Sequence, residues 1–310
     1  MNIIRLEPVF KQMIWGGNRL KQDFGYSIDM DNVGECWGIA AHENGDCVVA
    51  DGEYAGMHLS ELFNKHRELF GNIEGDRFPL LTKLIDAESD LSIQVHPDDE
   101  YAKVNENGAN GKTECWYILD AKEDATIVIG HNAASHSEVE RMINEKCWKD
   151  FIREIPVKKG DFFHITPGTV HAIKGGTLLL ETQQNSDITY RVYDYDRLSD
   201  GKPRPLHVAQ SIDVIKAPFI EEEPEKNENA TSNSNMKQLV SCRYFSVWKL
   251  EVEGSENIVM DQPFMLASVI EGEGNIDKEP LKKGSHFIIP FGYGTACFEG
   301  NMKLILSAPN

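Results

Sequence analysis

The sequence lacks a long hydrophobic run, an excess of basic residues and any leader-like segment. No stretch of about 18 apolar residues occurs, so no membrane-spanning helix is predicted. The opening MNIIRLEPVFKQMIWGGNRL has no apolar core of the signal-peptide type. Basic residues number 31 against 50 acidic ones, and the formal net charge of -19 argues against binding to nucleic acid or to an anionic membrane. A small phosphorylated molecule is still an acceptable ligand, because a few local cations suffice to bind it.

The sequence also lacks closely spaced pairs of cysteines. The six cysteines are scattered and form no C-x-x-C motif. Such usage favours a reducing, cytoplasmic environment over a disulfide framework. The chain of 310 residues is long enough for one large or two ordinary domains with a substantial core. We expect a monomer or a weakly associating homo-oligomer.

Short apolar runs separated by glycine and proline turns predict a mainly β protein. Helical spacing of apolar residues interrupts this pattern and predicts short helices at 59–70, 98–104, 135–151 and 207–215. The polar, acidic segment 221–236 reads as a linker or exposed loop. The predicted organisation is therefore a first domain over 1–220, the linker 221–236 and a β domain over 237–310.

Two parts of the chain resemble each other. KKGDFFHITPG near residue 160 and KKGSHFIIPFG near residue 285 share their turn residues and apolar spacing. The repeat suggests two copies of one β-barrel. His171 follows the turn in the first copy and has no histidine counterpart in the second. Only the first copy is therefore predicted to carry a metal site.

Three segments of the first copy each present polar ligand types. In LSIQVHP, alternation places Gln94 and His96 on one face of a strand, with apolar residues on the other. GKTECWYIL contributes Glu114, and GDFFHITPGTVHAI contributes His171. Imidazole nitrogens and a carboxylate oxygen suit zinc and neighbouring transition metals. One such histidine alone is more often a core residue, but the convergence of three segments favours a metal site; His164 is interpreted as structural.

Cationic side chains in apolar strands are the second unusual feature. Lys112 shares a face with Glu114, and Lys83 lies in the apolar run PLLTKLI. Lys83 is a candidate for a charged substrate pocket, although most lysines are surface residues. Arg191 lies in ITYRVYDYDR, and its planar fork suits a phosphate or an oxyanion. The alternative for Arg191 is an ion pair with Asp194 or Asp196.

Trp15 precedes two glycines, so the segment is predicted as a turn beside a large side chain. Trp15 is either a core anchor or a residue that borders a substrate pocket.

Four motifs together resemble the type I mannose-6-phosphate isomerases, and in particular their short bacterial form. They are LSIQVHPDDEYA, GKTECWYIL, PGTVHAI and DITYRVYDYDR, and the opening WGGNRL agrees with them. The resemblance covers nearly the whole chain and weakens after about residue 215. It implies two cupin-like (jelly-roll) β-barrels with short helical insertions. Most of the helical insert of the longer eukaryotic members is missing here.

The resemblance also implies an activity and a cofactor. Members of the family bind one zinc ion and interconvert mannose 6-phosphate and fructose 6-phosphate by proton transfer between C1 and C2. The family's zinc ligands match His96, Glu114, His171 and Gln94, of which the glutamine is the less secure ligand in the short form. The family's active-site arginine matches Arg191 and its pocket lysine matches Lys112.

Several points stay open at the level of sequence. The base that moves the proton could be a glutamate, a histidine or a water on the metal. A cupin oxygenase with iron at the same ligands is one alternative function, although cationic side chains beside the site argue against it. A non-enzymatic sugar-binding barrel is another, although such a protein would not need Lys112 and Arg191 beside the metal.

Overall fold

The computed structural model describes residues 2–199, 201–222 and 235–310. The mainly β prediction is confirmed, because strands make up most of the regular structure. In chain order the strands are β1 Ile4–Glu7, β2 Val9–Gly17, β3 Val33–Ile39, β4 Ala41–His42, β5 Gly45–Asp46, β6 Val48–Val49, β7 Leu80–Ala87, β8 Ile93–Val95, β9 Glu114–Ala121, β10 Thr126–His131, β11 Ile152–Pro156, β12 Phe162–Ile165, β13 His171–Ala172, β14 Thr177–Gln184, β15 Tyr190–Tyr193, β16 Leu198–Ser199, β17 Lys202–Pro203, β18 Met236–Ser241, β19 Phe245–Met260, β20 Met265–Ile276, β21 Glu279–Lys282, β22 His286–Ile289 and β23 Gly294–Pro309.

The helices are short and lie mostly in the first part of the chain. They are α1 Arg19–Phe24, α2 Leu59–Lys65, α3 Asp99–Asn105, α4 His136–Asn144, α5 Trp148–Phe151 and α6 Val208–Val214, with a 3₁₀ turn at Arg67–Phe70. The helices predicted at 98–104 and 207–215 are confirmed as α3 and α6. Among the described residues, no helix is long and apolar enough to span a membrane.

Two predicted helices are wrong in length. The helix over 59–70 ends at His66, whose φ of -129° and ψ of 56° leave the helical region, and a 3₁₀ turn follows. The helix over 135–151 is divided because Lys146 adopts a left-handed φ of 56°. The amide of Cys147 donates to the carbonyl of Met142 at 2.8 Å. This hydrogen bond is characteristic of a helix C-terminus that is followed by a left-handed residue.

The first part of the chain forms two facing sheets. One has the strand order β11-β10-β13-β8-β15, and the other has the order β12-β9-β14-β7-β2-β3. Apolar side chains from both sheets, among them Trp116, Ile127 and Leu179, fill the space between them. The outer face of the first sheet packs against α4, α5 and α6 through residues such as Val139 and Phe151. This interior is where the predicted ligands point.

The last part of the chain forms a larger sheet with the order β18-β19-β23-β20-β22-β1-β6, to which β21 adds beside β20. A second apolar layer separates this sheet from the six-stranded one, with Leu84, Phe264 and Ile288 among its members. Strands β1 and β6 come from the predicted first domain, yet β1 pairs with β22, with Ile4 opposite Ile288. Of the predicted linker 221–236, residues 223–234 lie outside the described residues.

The segments TACFEG and MKLILSA form one continuous strand, although the glycine between them would favour a turn. Both segments belong to the single strand β23, and Gly300 lies opposite Gly254 on β19 and Gly274 on β20. A Cβ on Gly300 would lie only 2.6 Å from the Cα of Gly274, so the glycine allows close approach of neighbouring strands. The sequence repeat has a structural counterpart, because Gly160 and Gly284 adopt φ values of 89° and 87° before β12 and β22.

Candidate metal centre and active-site cavity

Three predicted ligands meet at one point inside the first pair of sheets. His96 follows β8, Glu114 begins β9 and His171 begins β13. Their candidate ligand atoms lie within 4.8 Å of one another, and all three side chains are buried. His96 Nε2 lies 3.3 Å from Glu114 Oε2, and His171 Nε2 lies 3.4 Å from Glu114 Oε1. Strand β8 is shorter than predicted, but the alternation that directs His96 inward is preserved.

Backbone carbonyls define the tautomer of both histidines. His96 Nδ1 donates to the carbonyl of Ile188 at 2.8 Å, and His171 Nδ1 donates to the carbonyl of Thr169 at 2.9 Å. A carbonyl oxygen only accepts, so the proton lies on Nδ1 in each ring. The lone pair of Nε2 is therefore directed toward Glu114. This is the arrangement by which an outer hydrogen bond orients a metal-ligating histidine.

The protonation states fit a metal as well. Burial, together with the charge of Lys112, lowers the pKa of His96 to about 3, and burial also lowers the pKa of His171. Burial alone would raise the pKa of Glu114, but the charge of Lys112 holds it well below its usual range. Neutral imidazoles and an ionised carboxylate are the forms that bind metals. Glu114 Oε1 and His96 Nε2 are buried without a hydrogen-bond partner, as expected of atoms that bind a cation, while Glu114 Oε2 contacts the Lys112 ammonium.

Gln94 lies beside this group and is half-buried. It stands opposite His171 on β13 and opposite Arg191 on β15, so the three side chains share one face of the sheet. Its amide nitrogen lies 3.2 Å from His171 Nε2. Rotation of the amide would present the oxygen, the atom that binds metals, to the same point. His164, by contrast, lies on β12 opposite Cys115 and outside the group.

A row of alternating charges extends from the candidate ligands. Lys112 Nζ lies 2.8 Å from Glu114 Oε2 and 3.8 Å from Glu181 Oε1. Lys83 Nζ lies 3.7 Å from Glu181 Oε1 and 3.7 Å from Glu35 Oε2. Burial raises the pKa of Glu181.

Both lysines were predicted from the sequence as pocket residues, whereas the two glutamates were not. Glu181 occurs in LLLET and Glu35 in VGECWGI. The signal that could have identified them is the one used for Lys83, namely a charged residue inside an apolar strand.

The alternative interpretation of Arg191, an ion pair with Asp194 or Asp196, does not hold among the described residues. Among the described residues, Asp194 pairs with Arg197 and Arg204, each at 2.5 Å. Arg191 Nη1 donates instead to the carbonyl of Pro205 at 2.9 Å. Its Nε is buried and has no hydrogen-bond partner. Arg197 and Arg204 therefore neutralise the Asp194 carboxylate at this end of the site, and Arg191 lies outside this cluster.

A cavity of about 280 Å³ brings these side chains together. Its lining includes the predicted residues Trp15, Lys83, Gln94, Lys112 and Arg191, and the unpredicted residues Glu35, Ser92, Glu181, Asp187 and Arg204. Trp15 belongs to β2 rather than to the predicted turn. Its ring is buried in the interior cluster and also borders the cavity, so both interpretations offered for it apply.

Facing β-sheets that enclose a buried His–Glu–His group beside a charged cavity define a cupin-type protein with a candidate metal site. A family model for the catalytic domain of type I phosphomannose isomerases matches residues 3–127, and one for the cupin domain of mannose-6-phosphate isomerases matches residues 235–309. The chain belongs to the type I phosphomannose isomerase family. The resemblance stated from the sequence motifs and the cupin-type fold are thereby confirmed.

Curated relatives and solved structures agree with this assignment. The chain is 52% identical to the mannose-6-phosphate isomerase ManA of Bacillus subtilis, over 97% of each chain. It is 45% identical to the mannose-6-phosphate isomerase of Streptococcus mutans, over 98% of this chain and 99% of the relative. A crystal structure of the mannose 6-phosphate isomerase from Bacillus subtilis superposes with a TM-score of 0.95 at 49% identity and covers 99% of both chains. A phosphomannose isomerase from Salmonella typhimurium shares the fold at 15% identity, with a TM-score of 0.77 and full coverage of both chains.

Proposed function

We propose that this chain interconverts mannose 6-phosphate and fructose 6-phosphate reversibly, with one zinc ion per chain. The observation that carries the proposal is the buried group of His96, Glu114 and His171 beside a cavity lined by lysines and arginines. The names of relatives at 52% and 45% identity supply the substrate. An aldose–ketose isomerisation needs a way to stabilise negative charge and a group that moves a proton.

The metal would be held by His96, Glu114 and His171, with Gln94 as a fourth ligand. A small set of nitrogen and oxygen ligands suits zinc and leaves room for a substrate. When bound, a divalent ion polarises the oxygens of the sugar and stabilises the negative charge that develops on them. The unpartnered Glu114 Oε1 and the orientation of both imidazoles support this ligand set.

The protein side chains supply the remaining chemistry. Lys112 and Lys83 would donate hydrogen bonds to sugar oxygens, since both ammonium groups border the cavity. Glu181 is our candidate for the group that moves the proton between C1 and C2. Its Oε2 accepts from Trp116 Nε1 at 3.0 Å, while its buried Oε1 has no hydrogen-bond partner. The indole therefore orients the carboxylate and leaves one oxygen available.

The phosphate would bind at the arginine end of the cavity. Arg191 and Arg204 both line it, and the single carboxylate of Asp194 pairs with Arg197 and Arg204 but not with Arg191. This local positive excess contrasts with the formal net charge of -19 for the chain. A planar guanidinium binds two phosphate oxygens at once, which a lysine cannot do.

We also propose a cytoplasmic location and a monomer or weak homo-oligomer. All six cysteines are free thiols in the structure, which is consistent with a reducing compartment.

Metal analysis combined with an activity assay tests the proposed function. The purified protein is analysed for bound metals, and fructose 6-phosphate formation from mannose 6-phosphate is measured before and after chelation. We expect one zinc ion per chain, with activity lost on chelation and restored by zinc. Zinc without turnover would favour a sugar-binding barrel, and iron with oxygen uptake would favour an oxygenase.

A further inference from the structure

The interior face of the six-stranded sheet carries a continuous row of large side chains. Trp37 on β3 stands opposite Lys83 on β7, and Lys83 stands opposite Glu181 on β14. Trp116 on β9 stands opposite Glu181 and completes the row. Residues directly opposite each other on neighbouring strands point to the same face. Glu35 precedes Trp37 by two residues and therefore points to that face as well.

Two carboxylates flank Lys83 at the same distance. Its Nζ lies 3.7 Å from Glu35 Oε2 and 3.7 Å from Glu181 Oε1. Each carboxylate is itself held by an indole N–H, from Trp37 to Glu35 at 2.6 Å and from Trp116 to Glu181 at 3.0 Å. The Trp37 ring also contacts the ammonium, with 4.8 Å between Nζ and the ring centroid.

These contacts confine a flexible side chain to one position. A lysine has a long stem with several rotatable bonds, and an ammonium attracted by a single carboxylate would shift toward it. Attraction from both sides holds Nζ between Glu35 and Glu181. Both contacts exceed hydrogen-bond length, so the ammonium keeps donors for an oxygen in the cavity. Glu35 is separated from the candidate ligand Glu114 by Lys83, Glu181 and Lys112, so its influence need not pass through a metal.

We propose that Glu35, oriented by Trp37, is a positioning residue that holds Lys83 in place for the substrate. The inference rests on the proposed isomerase function, in which Lys83 contacts the sugar. Glu35 lies outside the motifs that carry the family resemblance and was not among the site residues predicted from the sequence.

The substitution Glu35→Gln tests the proposal with little change of volume. Glutamine still offers an oxygen to the Trp37 indole, but it removes the negative charge that faces Lys83. We expect kcat to fall by about 10²-fold, as for a displacement of ~1 Å at a reacting centre, with a smaller change in KM and the wild-type zinc content. Glu43→Gln, at an exposed position in the hairpin between β4 and β5, is the matched control and should behave as the wild type.

A double-mutant cycle separates positioning from a general structural role. If Glu35 acts through Lys83, adding Glu35→Gln to Lys83→Met causes no further loss of kcat. Additive losses would overturn the proposal while leaving the isomerase function intact. Thermal unfolding of each variant identifies a loss that is due to instability, and Glu35→Asp, which keeps the charge, should recover part of the activity.

A crystal structure of the Glu35→Gln protein decides the question without any assay. We expect Lys83 Nζ to move toward Glu181 by ~1 Å while Glu181 and Trp116 keep their positions. An unmoved Lys83 would refute the positioning role. If the wild-type protein does not turn over mannose 6-phosphate, the proposed function fails, and this structure still tests the inference about Glu35.

Discussion

Lys112 Nζ lies 2.8 Å from Glu114 Oε2, so a buried ammonium contacts the carboxylate that is the central candidate metal ligand. Burial would lower the pKa of Lys112, but the charges of Glu114 and Glu181 raise it above its usual value. The ammonium therefore stays charged beside the cavity. Its position links the proposed metal site to the proposed sugar site.

Replacing Lys112 by methionine should remove activity and leave the metal. We expect kcat to fall by about 10²-fold or more, because a preorganised donor to the developing charge is lost. Zinc binding should persist, since Lys112 supplies no metal ligand and its removal leaves Glu114 free to bind a cation. Elemental analysis and kinetics on the same preparation measure both effects. Lys103→Met, at an exposed position of α3, is the control; loss of zinc in the Lys112 variant would contradict the assignment.

Arg191→Ala should lower turnover far more than zinc content. We expect a loss of about 10²-fold, or ~3 kcal/mol of transition-state stabilisation. The side chain borders the cavity with a buried, unpartnered Nε, so it has a donor available for the substrate. Equal losses of zinc and turnover would show that Arg191 is structural. If Arg191 acts on the phosphate, the variant should match the wild type with unphosphorylated mannose as substrate. Arg141→Ala, on the exposed face of α4, is the control.

His286 should make the fold sensitive to acid. Its Nδ1 lies 2.8 Å from Ser268 Oγ and its Nε2 lies 2.8 Å from Tyr26 Oη, and burial lowers its pKa to about 4. An unfolded histidine titrates near ~6.5, so the unfolded state binds more protons between these two values. The free energy of unfolding therefore falls as the pH drops from about 6.5 toward 4, by ~1.4 kcal/mol per pH unit.

Urea unfolding at pH 7 and pH 5 measures this effect. The wild type should lose about 2 kcal/mol more between the two pH values than the His286→Gln variant, which carries no titratable group at this position. The quantity compared is the change in the free energy of unfolding between pH 7 and pH 5, so a loss of stability that is equal at both pH values does not affect it. An identical change in the free energy of unfolding for the two proteins would refute the role of His286.

A fragment of residues 1–220 should not be an active, soluble protein. Strand β1 would lose β22 as its partner, and the apolar layer containing Leu84, Phe264 and Ile288 would lose the members contributed by the last sheet. Expression of the fragment, followed by measurement of solubility and of fructose 6-phosphate formation, tests the expectation. The expectation follows if the last sheet covers the apolar outer face of the six-stranded sheet. A soluble, active fragment would rule out this role.

Local alternation was enough to identify much of the candidate site. Alternation placed Gln94 and His96 on one face of a strand, and the convergence of three polar segments, together with the family resemblance, added Glu114 and His171. Lys83 was proposed for the pocket because a charge inside an apolar strand needs a reason to be there, and Lys112 was proposed through the family resemblance. These inferences hold because the direction of a side chain depends on its own strand.

Only the tertiary structure decided which strands are neighbours. The contacts of Glu35 and Glu181 with Lys83 depend on the register of β3, β7 and β14, which are far apart in the sequence. The same reason explains why β1 was assigned to the first domain, although it pairs with β22 in the last sheet. Periodicity shows the face that a residue occupies, but the partner across the sheet follows from the packing of the whole chain, and no single segment contains that information.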